Sequence, residues 1–474
     1  MWKWLNDTLH EFKLCFRDKR VFAWFVITVI GLMTRSDRAG LTSVVRALNL
    51  NPTSYTAILH FFRAESWNTN SVRYIWQRFL SKLPILYRME DGRPVMVGDG
   101  VKQSKEGRFM PGVKRLHQES ENSAKSEFIY GHMFGGLGVL VGNAKSKLYC
   151  VLISLKLHDG LSAINEWCND ASYEEESHVV KTIKDAIAAT GVLGSSLLLL
   201  DRLYLTVPML ETLLTCSSLR VVTKAKSNAI AYYEPKQKTG RGAKPKKGEK
   251  VPVSSLFATQ AHAFRTITAT LYGKEKQVKY YSTDLLWGKG LYQKLRFVLV
   301  VLDGKESILV STDLTLSPEQ IISLYCRRFK IECSFRELKQ VVAGFGYRFW
   351  CKSMPKLNRY INNEKSQDKL RDIDDGKSKK NIIMTVNAIN GFALLSCIAL
   401  GLLQTASLLF ISTFSGSAVR FMRTKTNNVP SEATVADCMR KSFYQLFQFY
   451  PDLPITAIIS ERQLGALRDD VDTA

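Results

Sequence analysis

Ser323–Val342 reads SLYCRRFKIECSFRELKQVV, a run with the apolar spacing of a helix. Tyr325, Arg328, Glu332 and Lys339 stand in it at offsets 0, 3, 7 and 14. At about 100° per residue they fall at about 0°, −60°, −20° and −40°, sharing one stripe roughly 21 Å long. Leu324, Ile331, Phe335 and Val342 lie beside that stripe as a face to be buried, with Arg327, Lys330 and Glu337 expected toward water. A carboxylate flanked by a phenol and two cations, on the shoulder of a buried face, suits a phosphodiester bound near a metal. The same charges also describe a solvated helix. Two carboxylates upstream decide between these readings.

Pro94–Val101 (PVMVGDGV) is a buried strand by its apolar run, with Asp99 at its carboxyl end. Ser195–Leu200 (SSLLLL) is a second, and it delivers Asp201. Between them, Phe128–Gly142 and Leu148–His158 read as strands joined by the turn Asn143–Lys147, and Glu174–Thr190 as an amphipathic helix. Val207–Ser217 reads as a helix and Leu219–Thr223 as a short strand. This order predicts an α/β fold, a mixed sheet with helices packed on it and sites at strand ends. The glycines of Gly131–Gly138 (GHMFGGLG) are expected at twist or bulge positions.

Asp99, Asp201 and Glu332 are separated by 102 and 131 residues. Chemistry on a phosphodiester needs no protein nucleophile. It needs divalent cations that bind the non-bridging oxygen, activate the attacking oxygen and stabilise the leaving one. Hard oxygen ligands suit Mg²⁺ in that role, and bound cations remove the cost of gathering carboxylates at one sheet edge. Singly, Asp99 between two glycines could be a turn residue, and Asp201 could cap the following helix. Asp159, Glu119 and Glu121 are possible auxiliary ligands that read more readily as surface residues.

The 474 residues allow two to four domains, and a net charge of +23 favours a polyanionic partner. Nucleic acid is the default partner and an anionic membrane surface the rival. Nine scattered cysteines, none spaced as CxxC, point to a reducing compartment and away from a disulfide framework or structural zinc site. Gly391–Ile411 carries no charge over 21 residues, so a transmembrane helix and a buried core helix are both open for it; the rest of the chain favours the core helix.

Residues 1–88 look helical. Leu41–Leu48, the breaker Asn49–Pro52 and a helix running to Arg63 have the spacing of a helix-turn-helix reader, or of a plain helical bundle. Glu234–Lys250 carries seven basic residues against two acidic and cannot build a core. The runs Phe264–Tyr272, Gln277–Ser282, Leu295–Leu302 and Glu306–Ser311 then read as strands of a β-rich insertion.

Tyr325-x2-Arg328-x3-Glu332-x6-Lys339 resembles the tyrosine–arginine–glutamate–lysine signature of the IS-four class of bacterial DDE transposases. The VGDG around Asp99 and the LLLLDRLY around Asp201 look like that family's motifs for the first and second aspartates. The resemblance covers about residues 90–350. It implies an RNase H-like mixed sheet flanked by helices and interrupted by a β-rich insertion ahead of the Glu332 helix. It also implies that Asp99, Asp201 and Glu332 are catalytic and hold two Mg²⁺ or Mn²⁺ ions. Tyr325, Arg328 and Lys339 would contact phosphates near the transposon end, with Arg336 counted among the DNA-binding residues. Trp287, in DLLWGKG, is the candidate for stacking on a flipped base, a packed strand-end tryptophan being its plainer reading.

The organisation expected is a helical DNA-binding domain (1–88), the first part of the core (89–224), the insertion (225–314), the second part with the Glu332 helix (315–420) and a C-terminal helical tail (421–474). The function expected is cleavage at element ends and joining of the freed 3′-hydroxyl to target DNA, by a homodimer on double-stranded DNA. The setting expected is cytoplasmic and nucleoid-associated, without a membrane. A related nuclease that no longer inserts, or a non-catalytic DNA-binding protein, is the alternative.

Overall fold

The computed structural model describes residues 1–118, 126–144, 146–168, 175–236, 244–357, 369–414 and 429–465. In chain order its strands are β1 (Val95–Ser104), β2 (Lys114–His117), β3 (Phe128–Gly142), β4 (Leu148–Leu157), β5 (Ser196–Leu199) and β6 (Leu219–Lys224). Then come β7 (Ile230–Tyr232), β8 (Lys250–Pro252), β9 (Arg265–Leu271), β10 (Lys274–Trp287), β11 (Gln293–Leu302) and β12 (Lys305–Ser311). All twelve belong to one sheet.

The heart of the sheet runs β4-β3-β1-β5-β6. The pairs β4–β3 and β3–β1 are antiparallel, whereas β1–β5 and β5–β6 are parallel. Parallel neighbours need crossovers, and the helices His178–Leu193 and Val207–Leu214 supply them. This mixed α/β arrangement is consistent with an RNase H-like core. The first helix starts later than the sequence suggests, because Ser177 caps it by accepting the Val180 N–H. β1 is also longer than expected, since β3 pairs with it as far as Ser104. Asp99 therefore sits within the strand and not at its end.

β12 lies antiparallel to β6, through Leu309–Ser311 and Val222–Lys224. The strands after β6 therefore extend the same sheet. β2 is a short strand in a stretch that reads as polar and turn-rich; it pairs with the first residues of β3.

Alternation along β1 explains the glycines of the GDG motif. Gly98 and Gly100 face the helix His178–Leu193, where a Cβ on Gly100 would stand 2.9 Å from His178 Nε2. Asp99, between them, points to the opposite face. Its partner across the ladder is Gly136 on β3, where a Cβ would meet the Phe335 ring at 2.6 Å. Gly138 alone falls at a register shift; Gly135 and Gly136 serve close approach, which the expectation of twist or bulge positions did not include.

The helix Gly376–Leu409 is the one described helix long and apolar enough to cross a membrane, and 89% of its most apolar window is buried inside the protein. It packs on β4 and on the N-terminal helices Lys19–Thr34, Ser54–Arg63 and Thr69–Ser81. Its polar interruptions are mostly paired: Thr405 donates to the Gly401 carbonyl, and the Gln404 amide nitrogen donates to Glu432 at 3.1 Å, while the Gln404 amide oxygen is buried without a partner. From the N-terminal side, Trp76 Nε1 donates to the Leu152 carbonyl of β4 at 2.9 Å. The helices of residues 1–81 thus share one hydrophobic core with the sheet.

Gly136→Ala places a methyl group against Phe335 and should destabilise the fold by about 1–3 kcal/mol. Gly191→Ala, at a helical position with nothing within 4 Å of the new Cβ, should instead stabilise it by up to about 1 kcal/mol. Thermal denaturation of the two variants checks the opposite signs.

Candidate active site

β1 and β5 are in parallel register with Val97 opposite Leu199. Asp99, within β1, and Asp201, just past the end of β5, each lie two residues further on, which brings them to one level. β6 holds the second of these from its far side, with the Thr223 hydroxyl donating to the Asp201 carbonyl at 2.8 Å. Glu332 arrives from elsewhere in the chain, on the helix Lys330–Gln340. That helix is seated by Phe335 against Gly136 and by the Ser334 hydroxyl, which donates to the Cys150 carbonyl of β4.

The stretch Ser323–Val342 is not one helix. It is the helix Pro318–Tyr325, a turn, and the helix Lys330–Gln340. Within the turn the N–H groups of Arg327, Arg328 and Lys330 donate to carbonyls three residues back, not four. This tightening changes which way the side chains point. Arg327, expected toward water, stacks over the Tyr87 ring at 4.6 Å and donates to its hydroxyl. Leu324, Ile331, Phe335 and Val342 are buried as expected.

Arg328 is the junction of the site. One guanidinium nitrogen donates to Asp99 Oδ2 at 3.1 Å and the other to Glu332. Arg328 and Asp99 are 15% and 21% exposed, against 44% for Glu332, so the first pair is the better shielded. Burial pushes Asp99 up to about 6; Arg328 and the Gly100 N–H oppose this, while Asp201 and Glu332 add to it. Burial also opposes charge on Arg328, but Asp99, Tyr325 and Glu332 outweigh it and hold the guanidinium above its ordinary value. Tyr325 closes the group as the last residue of its helix, its phenol raised by burial and by Asp201.

The other expected residues lie further out. Lys339 Nζ stands 5.7 Å from the Phe345 ring, and Arg336 is exposed and paired with Glu337. Trp287 ends β10 at a cleft of about 460 Å³, lined also by Arg202, Lys226, Tyr232, Lys250 and Lys289. Asp159 pairs with Lys114 at 3.0 Å, and Glu119 and Glu121 lie outside the described residues.

Behind Asp99 is a buried chain that sequence reasoning missed. The Tyr204 hydroxyl lies 2.8 Å from His178 Nε2, and His178 Nδ1 lies 2.8 Å from His158 Nδ1. Burial depresses both imidazoles, His178 to about 4, so they are neutral near pH 7. Three residues drawn from a strand end, a helix start and a turn leave no spacing signal. The glycines opposite them, Gly100 and Gly135, were the legible trace.

Among the described residues, no three His, Cys, Asp or Glu side chains are gathered closely enough to hold a metal ion. The donor chemistry nevertheless fits one. Asp99 and Asp201 are hard oxygen ligands side by side, and a buried carboxylate raised to about 6 among other acids is what a cation would relieve. Arg328 already supplies one positive charge there, bonded to both Asp99 and Glu332.

Residues 170–352 match the family described as the transposase DDE domain, and residues 11–137 match the DDE superfamily endonuclease family. The two matches support a DDE transposase. The first takes in Asp201, Tyr325, Arg328, Glu332 and Lys339; the second takes in Asp99. Each spans less than half of the chain. No curated protein and no solved structure matches it. Transposase-type DNA cleavage, and DNA as the substrate, are the activity and partner these families support.

A carboxyl near 3.9 when unfolded and at about 6 when folded binds more protons in the folded state between those values. Its contribution to stability is present at low pH and is lost as pH rises through about 6. In chelator, Asp99→Asn should therefore be more stable than the wild type at pH 8, by ~1–3 kcal/mol, with the gap closing by about pH 4. Denaturant melts at both pH values measure it.

Proposed function

We propose that this chain is an IS-four-type transposase that cuts DNA at the ends of its element and joins the freed 3′-hydroxyl to target DNA. The observation carrying this reading is the placement of Asp99 and Asp201 side by side at the level where β5 ends, with Glu332 tied to Asp99 through one guanidinium. Asp99 and Asp201 would hold Mg²⁺ or Mn²⁺, with Glu332 joining them once Arg328 releases it. Two such ions would neutralise the phosphate and polarise the attacking and leaving oxygens.

The chain's own residues would do the rest. A phosphate is a bidentate partner for a guanidinium and can take Arg328 from Glu332, so DNA binding would complete the acid set. Tyr325 and Lys339 would fix neighbouring phosphates, and Arg336 would add to the same contact surface. Trp287, at a cleft lined by four cations, would receive a base drawn out of the stack. Residues 1–88 would supply DNA binding beside the core (89–224 and 315–420), the insertion (225–314) the base cleft, and 421–474 a helical tail. Pairing of two ends calls for a homodimer on double-stranded DNA, acting in the cytoplasm at the nucleoid and not at a membrane.

Asp99→Asn, Asp201→Asn and Glu332→Gln should each lower Mg²⁺-dependent cleavage of DNA from the flanks of the coding sequence by at least about a hundredfold. Gel-shift affinity for the same DNA should stay within about threefold, as binding is dominated by the phosphate contacts. Unimpaired cleavage by any of the three would defeat the assignment. Cleavage without strand transfer into a plasmid would leave a nuclease, and binding indifferent to Mg²⁺ without cleavage a DNA-binding protein. Arg328→Ala should also reduce the slope of log affinity against log salt by about one; an unchanged slope would remove Arg328 from the phosphate contacts.

A further inference from the structure

Tyr272 has no part in the site described so far. β9 and β10 pair up to Leu271 and Lys274, so Tyr272 and Gly273 are the two central residues of the hairpin turn. Both lie in the left-handed region, with φ of 53° and 78°. A two-residue hairpin of this kind favours Asn, Asp or Gly at its first centre, and a bulky ring there is an uncommon occupant. Nothing in the turn calls for an aromatic. The side chain is 63% exposed, so the core does not call for one either.

The place the hairpin reaches gives the ring a use. β9 packs on the helix Pro318–Tyr325, and Tyr280 of β10 donates to Glu319 at the start of that helix. The hairpin therefore lies along it, and its tip brings the Tyr272 phenol beside Cys326, within the electrostatic reach of Arg328 and Glu332. The insertion thus carries a largely exposed aromatic to the rim of the acid site, held in a backbone conformation the turn alone would not select. A ring this exposed leaves its face open to a ligand. A ring face recognises another π-face, and each nucleobase offers one whatever its identity. Trp287 stands at the far end of β10, against Arg202, so the two aromatics serve different places.

We infer that Tyr272 stacks on the base next to the phosphodiester held at Asp99 and Arg328, and so positions the strand to be cut. The inference rests on the transposase reading. The contact requires the ring and tolerates any base, and the hydroxyl takes no part in it.

The test is Mg²⁺-dependent cleavage of duplex DNA from the flanks of the coding sequence, alongside thermal melts. Tyr272→Asn suits the left-handed turn, so its melting temperature should equal or exceed that of the wild type while cleavage falls about tenfold, the worth of one base–aromatic stack. Tyr272→Phe and Tyr272→Trp should recover most of that loss. An abasic site beside the cut should bring the wild type down to the rate of Tyr272→Asn. The inference is overturned if Tyr272→Asn cuts as well as the wild type, or if Tyr272→Phe is as defective as Tyr272→Asn. Should Tyr272→Asn melt low, benzoylphenylalanine at position 272 takes its place. Photocrosslinks to DNA then support the contact, and crosslinks to protein alone dismiss it. In all of these outcomes the wild type cuts and the transposase reading stands; a wild type unable to cut with Mg²⁺ ends both.

Discussion

The close approach of the Glu332 helix to β3 is the constraint on which the site depends. Phe335 lies where a side chain on Gly136 would be, and Gly136 is the ladder partner of Asp99. A glycine at that point lets an aromatic ring replace a Cβ, which brings the helix down onto the sheet beside the acid. Ser334 pins the same helix to β4 through the Cys150 carbonyl. Glu332 is far from Asp99 in the chain, and these two contacts bring it within reach of the same guanidinium.

Electrostatics then sets the character of the pocket. Two aspartates at one level and a glutamate nearby repel one another, and burial raises the cost of charging Asp99. Arg328 offsets part of that cost by bridging Asp99 and Glu332. Removing the guanidinium alone leaves the acids uncompensated, whereas exchanging it for another cation preserves the balance. The site is therefore built to trade one positive charge for another.

The surrounding architecture keeps this arrangement from shifting. On the far face of β1, the small residues Gly98 and Gly100 make room for the helix His178–Leu193 and for the chain Tyr204–His178–His158. On the near side, Gly376–Leu409 fills the centre of the protein, contacting β4 and the N-terminal helices together. The charge-free part of that helix, from Gly391 on, lies buried there because each side of it meets protein. β12 completes the frame by zipping the insertion onto β6, so the hairpin ending at Tyr272 is carried on the same sheet as the aspartates.

Composition and pattern alone determined a good deal: the α/β class, the strands β3 and β4 nearly to the residue, both aspartate-bearing strands, and a buried face on the Glu332 helix. These are local properties, written in apolar periodicity and turn residues. The break between Tyr325 and Lys330, the stacking of Arg327 on Tyr87, and the extension of β1 past Asp99 were decided by tertiary structure. Each depends on a partner remote in the chain, Tyr87 for Arg327 and β3 for β1, that no local window contains. The same holds for the site. Its acids were legible as residue types, but the Arg328 bridge exists only because a tight turn and a glycine in β3 set two distant segments side by side.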